Sequence, residues 1–396
     1  VIADGVALVR SIDRTLGPHV AAAADGGNLA WSPLSIAAAL AMTRVGASGR
    51  GADELDGLLG VPDERLDAAV AAIDECVEHL VAAPFRSKGE PPPITIRRAD
   101  ALWGQAGLRF APTFLDRLAA AHGAGLRTVD YRADPEAARA TINAWVGEQT
   151  HGRIPDLLPP NAITRESTLT LTDALYLAAA WMVRFRTDAD ADGRGFTTLD
   201  GRTVEPSWMV QTVWTLASGP GWIATSVPYV GGALACTFVV PDVGRFAAVA
   251  DAFLAGDLDE AIADAGDHFA RLTLPLFGID HAVEITGLLR SIGVHTAFDD
   301  PAGLVGVTAD PARDPVQIET VVHRATVDVD RNGTEASAAT ALMVAAGRGP
   351  TQPPEPIVVD RPFLFRIEDT TSGLVFFSGQ VTDPTQSTAP APWPGS

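Results

Sequence analysis

Between residues 321 and 330 the chain alternates cleanly. Val321, His323, Ala325, Val327 and Val329 fall on one face, and Arg324, Thr326, Asp328 and Asp330 on the other. That is the pattern of a strand with one face buried, and it predicts a strand over 318–330. After Gly333 the segment 334–346 holds a single charge and neither Gly nor Pro. Every second residue from its start, Thr334, Ala336, Ala338, Thr340, Leu342 and Val344, is small or apolar. Glu335, Ser337, Ala339, Ala341, Met343 and Ala345 form the alternate face. Such a segment can join a sheet with one face buried, although its alanines suit a helix or a linker equally well. Gly347, Arg348, Gly349 and Pro350 then open a Pro-rich run with the character of an exposed loop. Strands follow over 357–367 and 374–381.

The rest of the chain mixes helix and strand. Helices are expected over 7–16, 52–59, 64–81, 112–122, 246–265 and 285–291. Another begins at Ser32-Pro33, a cap followed by a first helical residue, and stops at Gly46. One more begins at Asp134-Pro135 and carries Ala138, Ile142, Trp145 and Val146 on one stripe. Strands are expected over 94–105, 126–131, 168–177, much of 203–240, and 268–276. No repeat or linker divides the 396 residues, so one large α+β domain is expected over 1–384, with a Pro-rich tail at 385–396.

Charge and chemistry narrow the function. The formal net charge of −20 argues against nucleic acid and anionic membrane as partners, because both need basic patches. No run of about 20 apolar residues is present to span a bilayer. Cys76 and Cys236 are far apart and suit two free thiols. No metal-ligand spacing, phosphate-binding Gly loop or nucleophile elbow appears, so no enzyme, metal or cofactor is expected.

The sequence GTEASAAT, starting at Gly333, resembles the hinge of the reactive-centre loop of serpins. VDRPFLFRIEDTTSGLVFFSGQVTDP resembles the family's C-terminal strand pair. WSPLSIAAALAMTRVGASG, INAWVGEQTHGRIPDLL and LTDALYLAAAWMVRF match further serpin segments in the same order. The likeness runs from about residue 5 to residue 384.

It implies a serpin fold of three β-sheets and eight or nine helices, with an exposed reactive loop at about 333–356. It also implies a suicide substrate of serine proteases. The loop is cut, forms an acyl-enzyme and inserts into the central sheet, a use of strand addition general to such inhibitors. The hinge is then Gly333, Thr334, Glu335, Ala336, Ser337, Ala338, Ala339 and Thr340. Ser32, Ser35, Asp173 and His323 match the shutter of the central sheet, and Ser32 and Ser35 also read simply as helix-capping residues. Trp181 matches the breach, where the loop first enters.

Two positions depart from the family pattern: Asp173 stands where Asn is usual, and Arg331 where Glu is usual. The scissile bond falls at Arg348-Gly349 for a trypsin-like target. Spacing from the hinge points instead to Gly347, and an elastase- or subtilisin-like enzyme would cut near Ala345 or Ala346. The expected partner is a serine protease in covalent complex. The acidic helix around 63–81 argues against a heparin site. The protein is expected to be a monomer able to form loop–sheet polymers on heating, extracellular, with the cytoplasm as the alternative. A non-inhibitory carrier or chaperone and an enzyme with an unrecognised site are the rival readings.

Overall fold

The computed structural model describes residues 2–82, 94–122, 126–188, 193–334 and 354–386. Its helices and three sheets form an α+β architecture. The main sheet runs in the order Phe277–Glu284, Ile318–Val329, Gly333–Thr334, Leu169–Ala180, Ala101–Gln105, Arg127–Val129, and Thr95–Arg98 also pairs with Leu169–Ala180. A second, nine-stranded sheet takes in Leu29–Trp31, Val375–Val381, Phe363–Asp369, Leu234–Pro241, Trp222–Pro228, Trp208–Gly219, Gly266–Pro275 and Glu355–Val358, with Arg186–Thr187 on Trp208–Gly219.

The alternation at 321–330 does what it predicts. Val321, His323, Ala325, Val327 and Val329 are all fully buried against the main core, and on the other face Arg324, Asp328 and Asp330 are partly buried while Val322 and Thr326 are buried as well. Helix Pro33–Gly46 starts as expected, with Ser32 Oγ accepting from the Ser35 N–H at 3.1 Å and Pro33 in the first turn. Helix Pro135–Gln149 starts with Asp134 accepting from the Glu136 and Ala137 N–H groups. Helix Pro33–Gly46 is buried along nearly its whole length under the main sheet, and it delivers Ser32 and Ser35 to the sheet's inner face.

Four differences from the sequence reading stand out among the described residues. The expected strand 94–105 is broken into Thr95–Arg98 and Ala101–Gln105. The two pieces keep one register on Leu169–Ala180, which sets Asp100 opposite Asp173 with its side chain 2.9 Å from Ser35 Oγ. The expected helix 246–265 stops at Ala255, where Gly256 takes a left-handed conformation (φ 83°), and resumes as Asp259–Ala263. The first helix is longer than expected, Ile2–Ala23, and passes through Pro18. Burial of Leu16 and Val20 holds this extension, and the close approach of Trp31 to Gly17 leaves no room there for a Cβ. Phe277–Glu284, an edge strand of the main sheet, was not expected at all. Asp280 and His281 interrupt its apolar run.

Candidate functional site

The strands Leu169–Ala180 and Ile318–Val329, twelve residues each, meet in two different ways. Over their lower part they pair directly and in parallel, from Ile318 opposite Leu169 to Ala325 opposite Leu175. Above this they part, and Gly333–Thr334 sits between them, antiparallel to both. Gly333 faces Ala180, and Thr334 faces Ala179 and Val329. The main sheet therefore contains a seam whose upper end is held apart by Gly333 and Thr334.

The upper end is closely organised. The Asp330 carboxylate accepts from the N–H groups of Asn332 (2.6 Å) and Gly333 (3.0 Å), fixing the turn into the hinge. The Trp181 indole N–H donates to the Asp330 carbonyl at 2.9 Å, and the Trp181 backbone N–H to the Asn332 carbonyl. Trp181 stacks on Tyr229 with ring centroids 4.4 Å apart, and the Tyr229 hydroxyl is 2.5 Å from Thr334 Oγ1. Burial pushes the Tyr229 phenol well above its ordinary range, so it stays a neutral hydrogen-bonding group. Arg331, where the family resemblance puts Glu, forms no ion pair among the described residues, and its carbonyl accepts from the Phe185 N–H. Asp328, just below, is pushed up to about 6 by burial and by the charge of Asp330, partly offset by Arg153.

The middle of the seam holds the four expected residues together. His323 and Asp173 are directly opposite across the parallel junction, with Nδ1 and Oδ2 3.1 Å apart and both side chains fully buried. The Ser32 N–H donates to His323 Nε2 at 3.0 Å. Ser35 Oγ contacts Asp173 Oδ1 and lies 2.9 Å from Asp100 Oδ1. Arg98 is 3.2 Å from Asp100 and 2.8 Å from Asp74 on helix Asp63–Val81. His281, on the neighbouring strand, is pushed down by burial and then by His323. Ser32 is thus both a helix cap and a partner of His323, so the two readings of that residue coincide.

Three contributors escaped the sequence. Asp100 lay inside a segment read as an unbroken strand; a carboxylate between Ala99 and Ala101 was the available signal. Tyr229 meets Thr334 across a separation of 105 residues, and nothing local marks it. Asp328 was read as a solvated position. The remaining hinge residues, Glu335, Ala336, Ser337, Ala338, Ala339 and Thr340, and the candidate cleavage positions Ala345, Ala346, Gly347, Arg348 and Gly349, lie outside the described residues.

Among the described residues, no group of three or more His, Cys, Asp or Glu is arranged to hold a metal ion, and no helix is long and apolar enough to cross a membrane. Cys76 and Cys236 are free thiols. Burial and then the Asp369 charge push Cys76 up to about 11, so it is not a thiolate near neutral pH.

A sheet whose two central strands pair in parallel at one end and are separated by Gly333–Thr334 at the other defines a recognisable class. The family model described as Serpin (serine protease inhibitor) matches residues 14–384. The chain belongs to the serpin family, a family of protease inhibitors and not of enzymes. Putative serpin-Z12 of Oryza sativa subsp. japonica is 32% identical, over 94% of this chain and 89% of its own. An uncharacterized serpin-like protein of Thermococcus kodakarensis is 29% identical, over 91% of this chain and 82% of its own. Among solved structures, that of Arabidopsis AtSerpin1 in a native stressed conformation superposes with a TM-score of 0.83 at 22% identity, covering 98% of this chain and 99% of that one. A crystal structure of native protease nexin-1 with heparin superposes with a TM-score of 0.79 at 21% identity, covering 97% and 100%. The last two establish a shared fold.

Proposed function

We propose that this chain inhibits serine proteases as a suicide substrate: cleavage in the segment 335–353 releases the hinge, which zips into the seam with the acylated protease attached. The observation that carries this reading is the position of Gly333–Thr334 at the head of the seam, antiparallel to both flanking strands. Continuing that register downward sets Ala338 between Leu175 and Ala325, and Thr340 between Asp173 and His323. It brings Val344 and Ala345 to the lower ends of strands that are each twelve residues long. The face turned inward is then Ala336, Ala338, Thr340, Leu342 and Val344, with nothing too large or charged to bury. The scissile bond falls just beyond the seam. Arg348-Gly349 is the preferred position, since Arg suits the acidic specificity pocket of a trypsin-like enzyme; Ala345 and Ala346 suit an elastase-like one.

Mixing the protein with trypsin and, separately, with elastase tests this. A denaturing gel should show a complex that survives denaturation, and N-terminal sequencing of the released fragment should begin at Gly349. A fragment beginning at Ala346 or Gly347 moves the bond. Clean cleavage by both enzymes with no trapped complex favours a non-inhibitory role.

A further inference from the structure

Ser35 sits between two buried carboxyls. Its Oγ contacts Asp173 Oδ1 and is 2.9 Å from Asp100 Oδ1, and the side chains of Asp100 and Asp173 are 6% and 0% exposed. A hydroxyl has one proton to donate. Two ionised carboxylates cannot both be satisfied by it, and like charges so close resist joint ionisation. On its other side Asp173 faces His323 Nδ1. The Ser32 N–H donates to Nε2, which leaves Nδ1 as the ring nitrogen on the Asp173 side, 3.1 Å from Oδ2 but outside hydrogen-bond geometry. Every contact then holds one hydrogen only if Asp100 is a carboxylic acid. It donates to Ser35, and Ser35 donates to Asp173.

We propose that Asp100 and Asp173 share one proton through Ser35, and that this proton clamps the seam shut. The cluster spans helix Pro33–Gly46, the break before Ala101–Gln105 and both strands of the seam, so it ties four elements across the line along which the sheet must part. The charged and titratable groups facing it are Arg98 beside Asp100, Asp74 beyond Arg98, His323, and His281 on the neighbouring strand; His122 feels Arg98 from further off. Arg98 reaches only the far oxygen of Asp100 and already serves Asp74, which leaves the Ser35 side of Asp100 without a cation. In agreement, burial and then the Asp173 charge, set against Arg98, push Asp100 up to about 8.

The sign follows from linkage. A carboxyl whose folded value lies above its unfolded one binds a proton that the unfolded chain does not, and the stability this gives is lost as pH rises toward the folded value. Loss of the proton leaves two carboxylates competing for one hydroxyl, and the seam loosens on the alkaline side of neutrality. That the seam takes up a loop rests on the inhibitory reading; the shared proton does not.

Infrared titration of the intact, uncut protein tests the proposal. A protonated-carboxyl C=O band should persist at neutral pH and disappear through about pH 8. Asp100→Asn, whose amide can donate to Ser35 without charge, should lack the titrating band. It should also lose the fall of a few degrees in Tm that the unmodified protein shows between about pH 6 and about pH 9. Asp173→Asn removes the facing charge, and should shift the midpoint of the same band to lower pH even if Asp100→Asn fails to fold. A band identical in all three proteins, or none at neutral pH in the unmodified one, overturns the shared proton and leaves inhibition standing. Failure to trap any protease with the infrared titration intact does the reverse.

Discussion

Single residues decide how this sheet can change. Asp173 is the clearest case, a carboxylate in a fully buried position where an unpaired charge would be costly. It is tolerated because Ser35 contacts it and His323 faces it. His323→Ala should therefore destabilise by about 2–4 kcal/mol, since it strips one partner from a buried charge and opens a void; chemical denaturation at neutral pH measures this. The hinge offers a sharper comparison. Under the proposed insertion Ala338 lands between the fully buried Leu175 and Ala325, so Ala338→Glu should turn the inhibitor into a substrate. Ala339 lands opposite Ala174 and Arg324. That face is not open solvent, because Ala174 is fully buried beneath helix Pro135–Gln149. Arg324, now paired with Asp280 at 2.6 Å, would still be at hand for a new carboxylate, so Ala339→Glu should raise the stoichiometry of inhibition less. Equal stoichiometries would contradict the facing of the hinge.

At the scale of elements, the sequence was legible where the signal is local. Ser32-Pro33 and Asp134-Pro135 mark helix starts because capping acts within one turn, and the alternation at 321–330 marks a strand because one face is buried throughout. The seam was legible only through family likeness. Nothing in 169–180 or 318–329 says that the two pair in parallel below and part above, since pairing partners about 150 residues apart leave no periodic trace. The missed break at Asp100 and the missed edge strand Phe277–Glu284 have one cause. A polar side chain satisfied across the fold is indistinguishable, in sequence, from one pointing to water. Asp328 shows what this hides. The proposed register sets Glu335 directly opposite Asp328, and like charges in that relation are destabilising. Burial, then Asp330, raise Asp328 to about 6. Its proton is present below that value and lost above it, so the repulsion with Glu335 operates above about pH 6 and is absent below. The gain in Tm on cutting the loop should be larger at about pH 5 than at about pH 7, and Asp328→Asn should remove the difference. This concerns the depth of the inserted state, whereas the Asp100 proton concerns how readily the closed seam opens.

For the whole molecule the inhibitory reading implies a fold that is not in its most stable arrangement. Cutting a chain normally loosens it, but on this reading the uncut segment restrains a hinge whose first residues, Gly333–Thr334, already lie between the two strands. After cleavage about ten more residues can enter the seam. The parallel junction from Ile318 to Ala325 is given up, and two antiparallel ladders replace it. With a net gain of roughly a dozen backbone hydrogen bonds at ~1 kcal/mol each, the change is on the order of 10 kcal/mol, comparable to the whole stability of an ordinary domain, ~5–15 kcal/mol. Heating the uncut protein exposes the same opportunity to a neighbouring copy. One molecule's loop entering another's seam is a head-to-tail contact that does not close, so it builds chains. Thermal unfolding of intact and loop-cut protein, with the cut confirmed by mass, measures the first effect, and size-exclusion chromatography after mild heating measures the second. The cut form should melt far above the intact one and should no longer polymerise, because its own hinge fills the seam. If it melts at the same temperature or lower, the hinge does not insert, and a non-inhibitory role replaces the trap.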